Sequence, residues 1–590
     1  MNSPAAMGGG IRNAIWEAGL IVVLPLTFTR GYAEQFSTPK FFLTKLTIIA
    51  GLAVWALGRI WTPTQRQIRF PLGWPLVAFS LAVLVSCLAS PVPRFSLMEA
   101  EYALCGPAWA VLLVMWERGE GCVHRIAALM GLAGALVAGV TLLQRLGFDP
   151  VLLGGYQVDW GSMVARMRLY STFGNPNYVG GYLIGTIFAA LALAAASKSR
   201  WAQWAWSGVG LMMLAAIVVT GSRGAWLGLG AGLAVAMMLL LLNNGPSGMS
   251  IRTVPSVRSV VGPSAFWLLA LLPLSWAERI AARVDGRVYL WRFSWPIFWK
   301  HPIVGTGWGA YQLLYLDLQA KFLSAHPDYL AYWTNNRLLH NDLLQLLLET
   351  GIAGLAAFIW ILWKFGLEVQ RASLRSTHAW GRYAIAASVG GVTAILTDSL
   401  FNYQFAVPPT YILLFTFLAI PTVLLSGEVE GGSKRPPLET PLTRRKNQLM
   451  PWKIVVSMAI LVASGCLLWQ QTRLLRSERF YQLATDFEGR NDLSGAESTY
   501  RRSVDLYELN GRAHFGLSRV LYSRGRCIEA LVEIVRAEQT YADSHQEVLR
   551  GLILEQMGNS SGALEAYRHA VWLDPTLTTV QEEVNRLSKR

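Results

Sequence analysis

Long apolar runs alternate with short polar connections over most of the chain. They lie near 14–28, 42–61, 72–89, 102–116, 126–146, 177–196, 202–220, 224–243, 263–276, 343–363, 383–400, 408–426 and 452–470. A helix that crosses a bilayer needs about 20 mostly apolar residues. The first, fourth and ninth runs are shorter, so the pattern predicts 12 or 13 spans. Barrel strands would alternate apolar and polar residues over about 10 positions; these runs are longer and uniformly apolar. Hydrocarbon admits only helices and closed barrels. The expected fold is therefore all-α: a polytopic transmembrane helix bundle. No convincing small-residue cleavage site follows the first run, which reads as a span rather than a cleaved signal.

Beyond the last run the period changes. Asn491, Gly525 and Gly558 each precede an alanine by five residues (Ala496, Ala530, Ala563). Tyr500, Ile534 and Tyr567 follow four residues later, then Ser503, Ala537 and Ala570. A turn residue, a small residue for close helix approach and a bulky residue to fill the groove describe paired helices stacked as a solenoid. Residues 475–590 are expected to form it, resembling tetratricopeptide repeats over about 477–576 with a degenerate first unit.

Lysine and arginine fix the orientation. With the N-terminus inside, inner connections hold Arg59, Arg66 and Arg69; Arg118 and Arg125; Lys198 and Arg200; Arg371, Arg375 and Arg382; and the cluster Lys434 to Lys446. The short outer connections hold fewer, and a cytoplasmic N-terminus follows. The segment 277–342 is then external, and the span 452–470 carries 475–590 to the same side. The expected organisation is a membrane domain at 1–426, a basic Pro/Gly linker at 427–451, one further span, and the repeats.

Composition narrows the class. Hydrophobic residues make up 53% and charged residues 15% of the 590, against about 25% charged in soluble proteins. The net charge of +15 sits mainly in the connections that fix topology, so no nucleic-acid partner is expected. Five cysteines (Cys87, Cys105, Cys122, Cys466, Cys527) show no metal-ligand spacing.

Four polar clusters at the predicted outer face are candidates for chemistry. The first is Arg168-Leu-Tyr-Ser-Thr-Phe-Gly174-Asn175-Pro176-Asn177, where Asn-Pro can cap the next helix. The second is Ser222-Arg223-Gly224-Ala225-Trp226 in a very short turn. Arg223 either snorkels to headgroups or offers a planar fork to phosphate, with the flanking glycines allowing close backbone approach to an anion. The third is Arg287-Val-Tyr-Leu-Trp291 followed by Pro302-Ile-Val-Gly305-Thr-Gly307-Trp-Gly309; it lacks the strand-turn-helix context of a nucleotide loop. The fourth is His340-Asn341-Asp342 with Glu349 and Gly351 downstream. Asn341 or Asp342 can cap the helix, and the histidine suits proton transfer.

Arg-x-x-Ser-Thr-x-Gly-Asn-Pro-Asn, Ser-Arg-Gly-Ala-Trp, Arg-x-x-x-Trp before Pro-x-x-Gly-x-Gly, and His-Asn-Asp, in this order across 168–351, resemble the O-antigen ligase and polysaccharide polymerase superfamily. The resemblance implies a glycosyltransferase that needs neither metal nor other cofactor and draws on a sugar chain carried by polyprenyl pyrophosphate at the outer side of a bacterial inner membrane. It implies catalytic roles for Arg223, Arg287 and His340, with the arginines on the pyrophosphate and the histidine near the acceptor. Arg168, Asn175, Asn177, Ser222 and Asn341 are the substrate-binding candidates. Arg287 is preferred to Arg279, Arg283 or Arg292 on its spacing to Trp291. The acceptor is another glycan, a lipid A core or a protein, and the repeats are open to a protein partner.

Polymerase and ligase chemistry are favoured over protein O-oligosaccharyl transfer, polymerase slightly ahead. A lipid-linked oligosaccharide flippase is the alternative of another class. The hydropathy shows no inverted repeat and no matched pair of broken helices, which argues against it. A cell-wall glycan polymerase would be expected to rest on a carboxylate in an outer loop, where this chain offers Arg and His.

Overall fold

The computed structural model describes residues 13–61, 70–155, 167–243, 286–376, 378–431 and 451–589. The run near 263–276, Arg279, Arg283 and most of the linker at 427–451 lie outside the described residues. Helices occupy the other twelve apolar runs. They are α1 (Asn13–Leu26), α2 (Thr38–Trp61), α3 (Gly73–Leu88), α4 (Pro93–Trp116), α5 (Gly119–Arg145), α6 (Pro176–Ala196), α7 (Arg200–Thr220) and α8 (Arg223–Asn243). The segment after α8, the outer segment of the expected topology, contributes α9 (Gly286–Ser294), α10 (Pro296–Lys300) and α11 (Tyr311–Ala325); α12 (Asp342–Arg375), α13 (Ala379–Asp398), α14 (Pro408–Gly431) and α15 (Pro451–Gly489) complete the twelve. Nine of the described helices are long and apolar enough to cross a membrane. The chain is an all-α polytopic bundle. Its one extended element among the described residues is a two-residue antiparallel pair, Phe148–Asp149 with Gly154–Gly155.

Exposure on these helices is apolar, as lipid contact requires. Leu211 and Leu241 are each 66% exposed, and Val455, Val462 and Trp469 line an exposed face of α15. By contrast α6, α13 and α14 are buried along most of their length.

Small residues bring the central helices together, as they must where no hydrophobic effect separates helix from lipid. Gly224, Gly228 and Gly232 recur every four residues along α8. A Cβ on Gly228 would stand 2.5 Å from the Ala394 carbonyl oxygen, and one on Gly232 2.5 Å from that of Gly390. A Cβ on Gly224 would stand 2.2 Å from the Asp398 carboxylate. The seam thus sets the start of α8 against the end of α13.

A second device joins the outer segment to the bundle. At Gly351 the backbone of α12 leaves the helical region (φ 65°, ψ −169°), freeing groups that cannot remain unpaired at a membrane border. The loop Pro302–Gly309 pairs with them. Thr306 N–H donates to Leu348 O (3.1 Å) and Gly307 N–H to Glu349 O (2.8 Å). Ile352 N–H donates to Pro302 O (2.8 Å) and Ala353 N–H to Ile303 O (3.1 Å). The Glu349 carboxylate accepts from Gly309 N–H at 2.9 Å. Gly305, Gly307 and Gly309 all have positive φ, so the alternating glycines serve this clasp.

The C-terminal half of α15 pairs with α16 (Leu493–Leu506), α17 (Gly511–Ser523) with α18 (Cys527–Glu538), and α19 (Ser544–Gln556) with α20 (Ser560–Leu573), before α21 (Thr578–Ser588). Asn491, Gly525 and Gly558 turn with positive φ. Ala496, Ala530 and Ala563 are fully buried, as are Tyr500 and Ile534. The helical array leans on the membrane body and outer segment. Arg512 pairs with Glu34 at 2.7 Å, Trp572 Nε1 donates to Ser324 Oγ at 2.9 Å, and Trp333 Nε1 to Leu573 O at 3.1 Å.

Gly351→Ala places a Cβ 2.2 Å from the Ile303 carbonyl oxygen in a left-handed conformation. It should destabilise the fold by about 2 kcal/mol or more. Gly230→Ala, on α8 with nothing within 4 Å, should be neutral or gain up to about 1 kcal/mol. Thermal unfolding in detergent compares them, and equal melting temperatures would remove the clasp as a constraint.

Candidate functional site

The site is built around the turn between α13 and α14. Asp398 ends α13 as a fully buried side chain, an unfavourable place for a carboxylate unless it is hydrogen-bonded. Asn402 Nδ2 donates to it at 2.6 Å and Gln404 Nε2 at 2.5 Å. Gln404 Nε2 also reaches the Asn177 carbonyl at 3.4 Å. The start of α12 is tied to the same turn: Asp342 N–H donates to Ser399 O at 2.8 Å, and the Asp342 carboxylate accepts from Phe405 N–H at 3.1 Å.

These bonds place His340. Its φ of 52° is left-handed, an uncommon and costly conformation for a non-glycine residue that persists where surroundings enforce it. Its ring meets Tyr403 edge-on at 4.6 Å, and Tyr403 meets Tyr178 likewise at 5.2 Å. The His340 Nδ1 is buried with no hydrogen-bond partner among the described residues. Burial, and then the positive charge of Arg287, push its pKa down to about 4. At neutral pH the imidazole is therefore uncharged and able to accept a proton.

Arg287 reaches this group through α9. One helical turn later on the same face, Trp291 Nε1 donates to the Leu339 carbonyl at 2.9 Å, adjacent to His340. Arg287 lies within electrostatic range of His340, Tyr403 and Asp398. Arg292 is directed elsewhere: it donates to the Tyr329 hydroxyl and lies 5.7 Å from that ring.

Arg223 opens α8 and is exposed, beside Gly224 with its backbone against Asp398. The expectation that the flanking glycine leaves room for an anion is corrected on this point. The space at Gly224 is taken by the Asp398 carboxylate, so this glycine serves helix packing. Ser222 is buried, and its Oγ has no hydrogen-bond partner among the described residues.

Other candidates have structural duties. Asn175 Oδ1 accepts from Asn177 N–H at 2.9 Å, and Asn341 Oδ1 from Leu344 N–H at 3.0 Å, capping α6 and α12. Arg168 is exposed on the loop leading into α6. That loop is anchored by Ser171 N–H to Gln144 Oε1 (2.8 Å) and by the Thr172 hydroxyl to Pro25 O (2.7 Å).

Asp398, Asn402, Tyr403 and Gln404 were not among the residues singled out from the sequence. Their signal was available: a carboxylate, two carboxamides and a tyrosine within seven residues, between two apolar runs and on the predicted outer side. On the far side of Tyr403 a cavity of about 460 Å³ opens between the membrane body, the outer segment and the C-terminal helices.

Because Arg287 carries part of the His340 shift, Arg287→Gln removes a positive neighbour and should raise the histidine pKa from near 4 toward its ordinary value. Solid-state NMR of histidine-labelled protein, assigned with His340→Gln, reads this directly. An unchanged titration would place Arg287 out of range.

Residues 208–359 match the family model described as O-antigen ligase. The match runs from within α7 into α12 and contains Ser222, Arg223, Arg287, His340 and Asn341. No curated protein sequence matches the chain. A segment of this multi-pass membrane protein is thus similar to the O-antigen ligase family, which supports a membrane glycan ligase or polymerase in general.

Proposed function

We propose that this domain transfers or polymerises glycans from a polyprenyl-pyrophosphate carrier at the outer face of a bacterial inner membrane. The observation that carries the reading is the convergence on one polar turn of an uncharged histidine, a neighbouring Arg287 and the arginine-bearing end of α8. The N-terminus is cytoplasmic in this proposal, and the C-terminal helices, which resemble tetratricopeptide units, stand on the side where transfer occurs.

The chemistry follows from charge. An acceptor hydroxyl attacks the sugar carbon bonded to pyrophosphate, forming a new C–O bond while the bond to the leaving oxygen breaks. The electron pair leaves with the lipid pyrophosphate, whose negative charge grows. Arg223 and Arg287 stabilise that charge through preorganised donors, a role that calls for no metal ion. The proton of the hydroxyl passes to the His340 imidazole. Positioned base catalysis of this kind contributes about 10²–10⁴ in rate. A bound pyrophosphate also raises the His340 pKa by charge attraction, making it a stronger base when the donor is present. Transfer to another glycan, as in a polymerase, or to a lipid A core, as in a ligase, uses the same groups.

The test uses full-length protein in lipid nanodiscs with host lipid-linked glycan and EDTA, products being sized by mass spectrometry. Wild type should build a ladder on lipid, or consume an added lipid A core. His340→Ala should lower kcat by about 10²-fold or more, and Arg223→Ala should also impair transfer. Wild-type transfer by both variants would sink the assignment. In the free enzyme, kcat/KM should hold as pH falls through 6.5 and decline only near 4, because His340 remains neutral over that interval. Donor crossing the bilayer without any acceptor being consumed would make the protein a flippase.

A further inference from the structure

The cavity beyond Tyr403 has three walls of separate origin. The membrane body gives Tyr178, Tyr403 and Glu349; the outer segment gives Trp308, Gln312 and Arg337; the C-terminal array gives Tyr507, Asn510 and Tyr541. Its volume of about 460 Å³ falls in the range of small-ligand pockets, about 300–1,000 Å³.

The cations in its walls are already engaged. Lys40 Nζ donates to the carbonyls of Thr172 (2.6 Å), Thr27 (2.5 Å) and Phe36 (3.1 Å). Lys45 pairs with Glu101 at 3.0 Å and Arg512 with Glu34 at 2.7 Å. Arg337 lies over the Tyr541 ring at 4.6 Å and stands 4.0 Å from Asp543. Carboxylates line the space too: Glu349 accepts from Gly309 N–H and Gln345 Nε2, and Glu478 accepts from Asn510 Nδ2 at 3.1 Å. A pyrophosphate placed here would meet committed cations and several acids, and the desolvation of its charge would go uncompensated. An apolar lipid tail would leave these polar groups without water. A polyol suits the walls: its hydroxyls both donate to carboxylates and accept from carboxamides, and its C–H faces pack against aromatic rings.

We propose that this cavity binds uncharged sugar rings of a glycan chain, and that the C-terminal helices contribute one wall of the site. The proposal rests on the glycan-transfer reading and extends it by naming the ligand class and the part played by the repeats. The cavity meets the transfer site at Tyr403, which faces the cavity on one side and the His340 ring on the other. A glycan held there presents its end to the histidine, and the repeats act on substrate directly.

The test uses the full chain in nanodiscs and free oligosaccharide released from host lipid-linked glycan by mild acid, so that it carries neither lipid nor phosphate. Binding is read by intrinsic tryptophan fluorescence, with inorganic pyrophosphate and an unglycosylated host-derived peptide as parallel probes. Ala542→Trp fills the cavity from the repeat wall, and Tyr507→Ala removes an aromatic face. Each should weaken oligosaccharide binding by about tenfold or more, while Arg223→Ala leaves it unchanged. In the transfer assay a rise in KM for the acceptor alone identifies the bound chain as acceptor, and a rise for the donor alone identifies it as the donor's glycan; both support the site. Oligosaccharide binding indifferent to both variants, or pyrophosphate or peptide binding sensitive to them in its place, overturns the proposal. Because binding is measured without turnover, oligosaccharide capture with no transfer leaves this site standing and removes the transfer reading. Transfer without capture does the reverse.

Discussion

Four backbone hydrogen bonds between the loop Pro302–Gly309 and the break in α12 set the geometry on which the site depends. A break at Gly351 exposes peptide groups where water is scarce, and the outer loop is the partner that satisfies them. The same bonds fix where the outer segment sits, and with it α9. Trp291 then holds Leu339, and Arg287 on the same helical face comes within range of His340. A loop attached only through its ends would leave this arginine to wander over the membrane surface. Here the element that carries it is tied by main chain to the helix that follows the histidine.

The polar turn at Asp398–Gln404 solves a complementary problem. Buried carboxylates are costly, and Asp398 persists because Asn402 and Gln404 both donate to it. Its tight fit against Gly224 converts a helix-packing seam into a register for Arg223, since a one-residue slip of α8 would put a side chain where the carboxylate lies. The turn also binds the start of α12 through Asp342. Three parts of the site thus share one anchor: the end of α13, the beginning of α8 and the residue pair His340-Asn341.

Apolar length made the bundle legible in the sequence, because a run of twenty apolar residues has few alternatives in a membrane protein. In the C-terminal helices, Asn491, Gly525 and Gly558 turn with positive φ and the alanines five residues later are fully buried, which is as much of that spacing as the structure displays. Within the site, Arg223, Arg287 and His340 stood out as charged or titratable groups beside helix ends. Asp398 and Gln404 escaped because their importance is tertiary: no local pattern tells that a carboxylate at the end of one apolar run will fill the notch at Gly224. The same holds for the glycines. Gly305, Gly307, Gly309 and Gly351 acquire their meaning only when a distant loop meets a helix break, and Asn175 and Asn341 proved to be caps, the reading that their positions before helices already offered.

The two polar regions at this end of the bundle differ in how their charges are balanced, and in the proposed reading that difference orders them along a substrate. Around His340 a cation depresses the titration of a neutral base, a setting that a bound anion would relax. Beyond Tyr403 the cations of the cavity are held by carbonyls, carboxylates and an aromatic ring, so an anion would gain little there. A lipid-linked glycan has the same asymmetry: charge at the carrier junction and a long uncharged polyol beyond it. The C-terminal helices close one side of the cavity, and their ion pair from Arg512 to Glu34 and the hydrogen bond from Trp572 to Ser324 hold that wall in place. An array bound only for a remote partner would have no reason to close a cavity one aromatic ring away from the histidine.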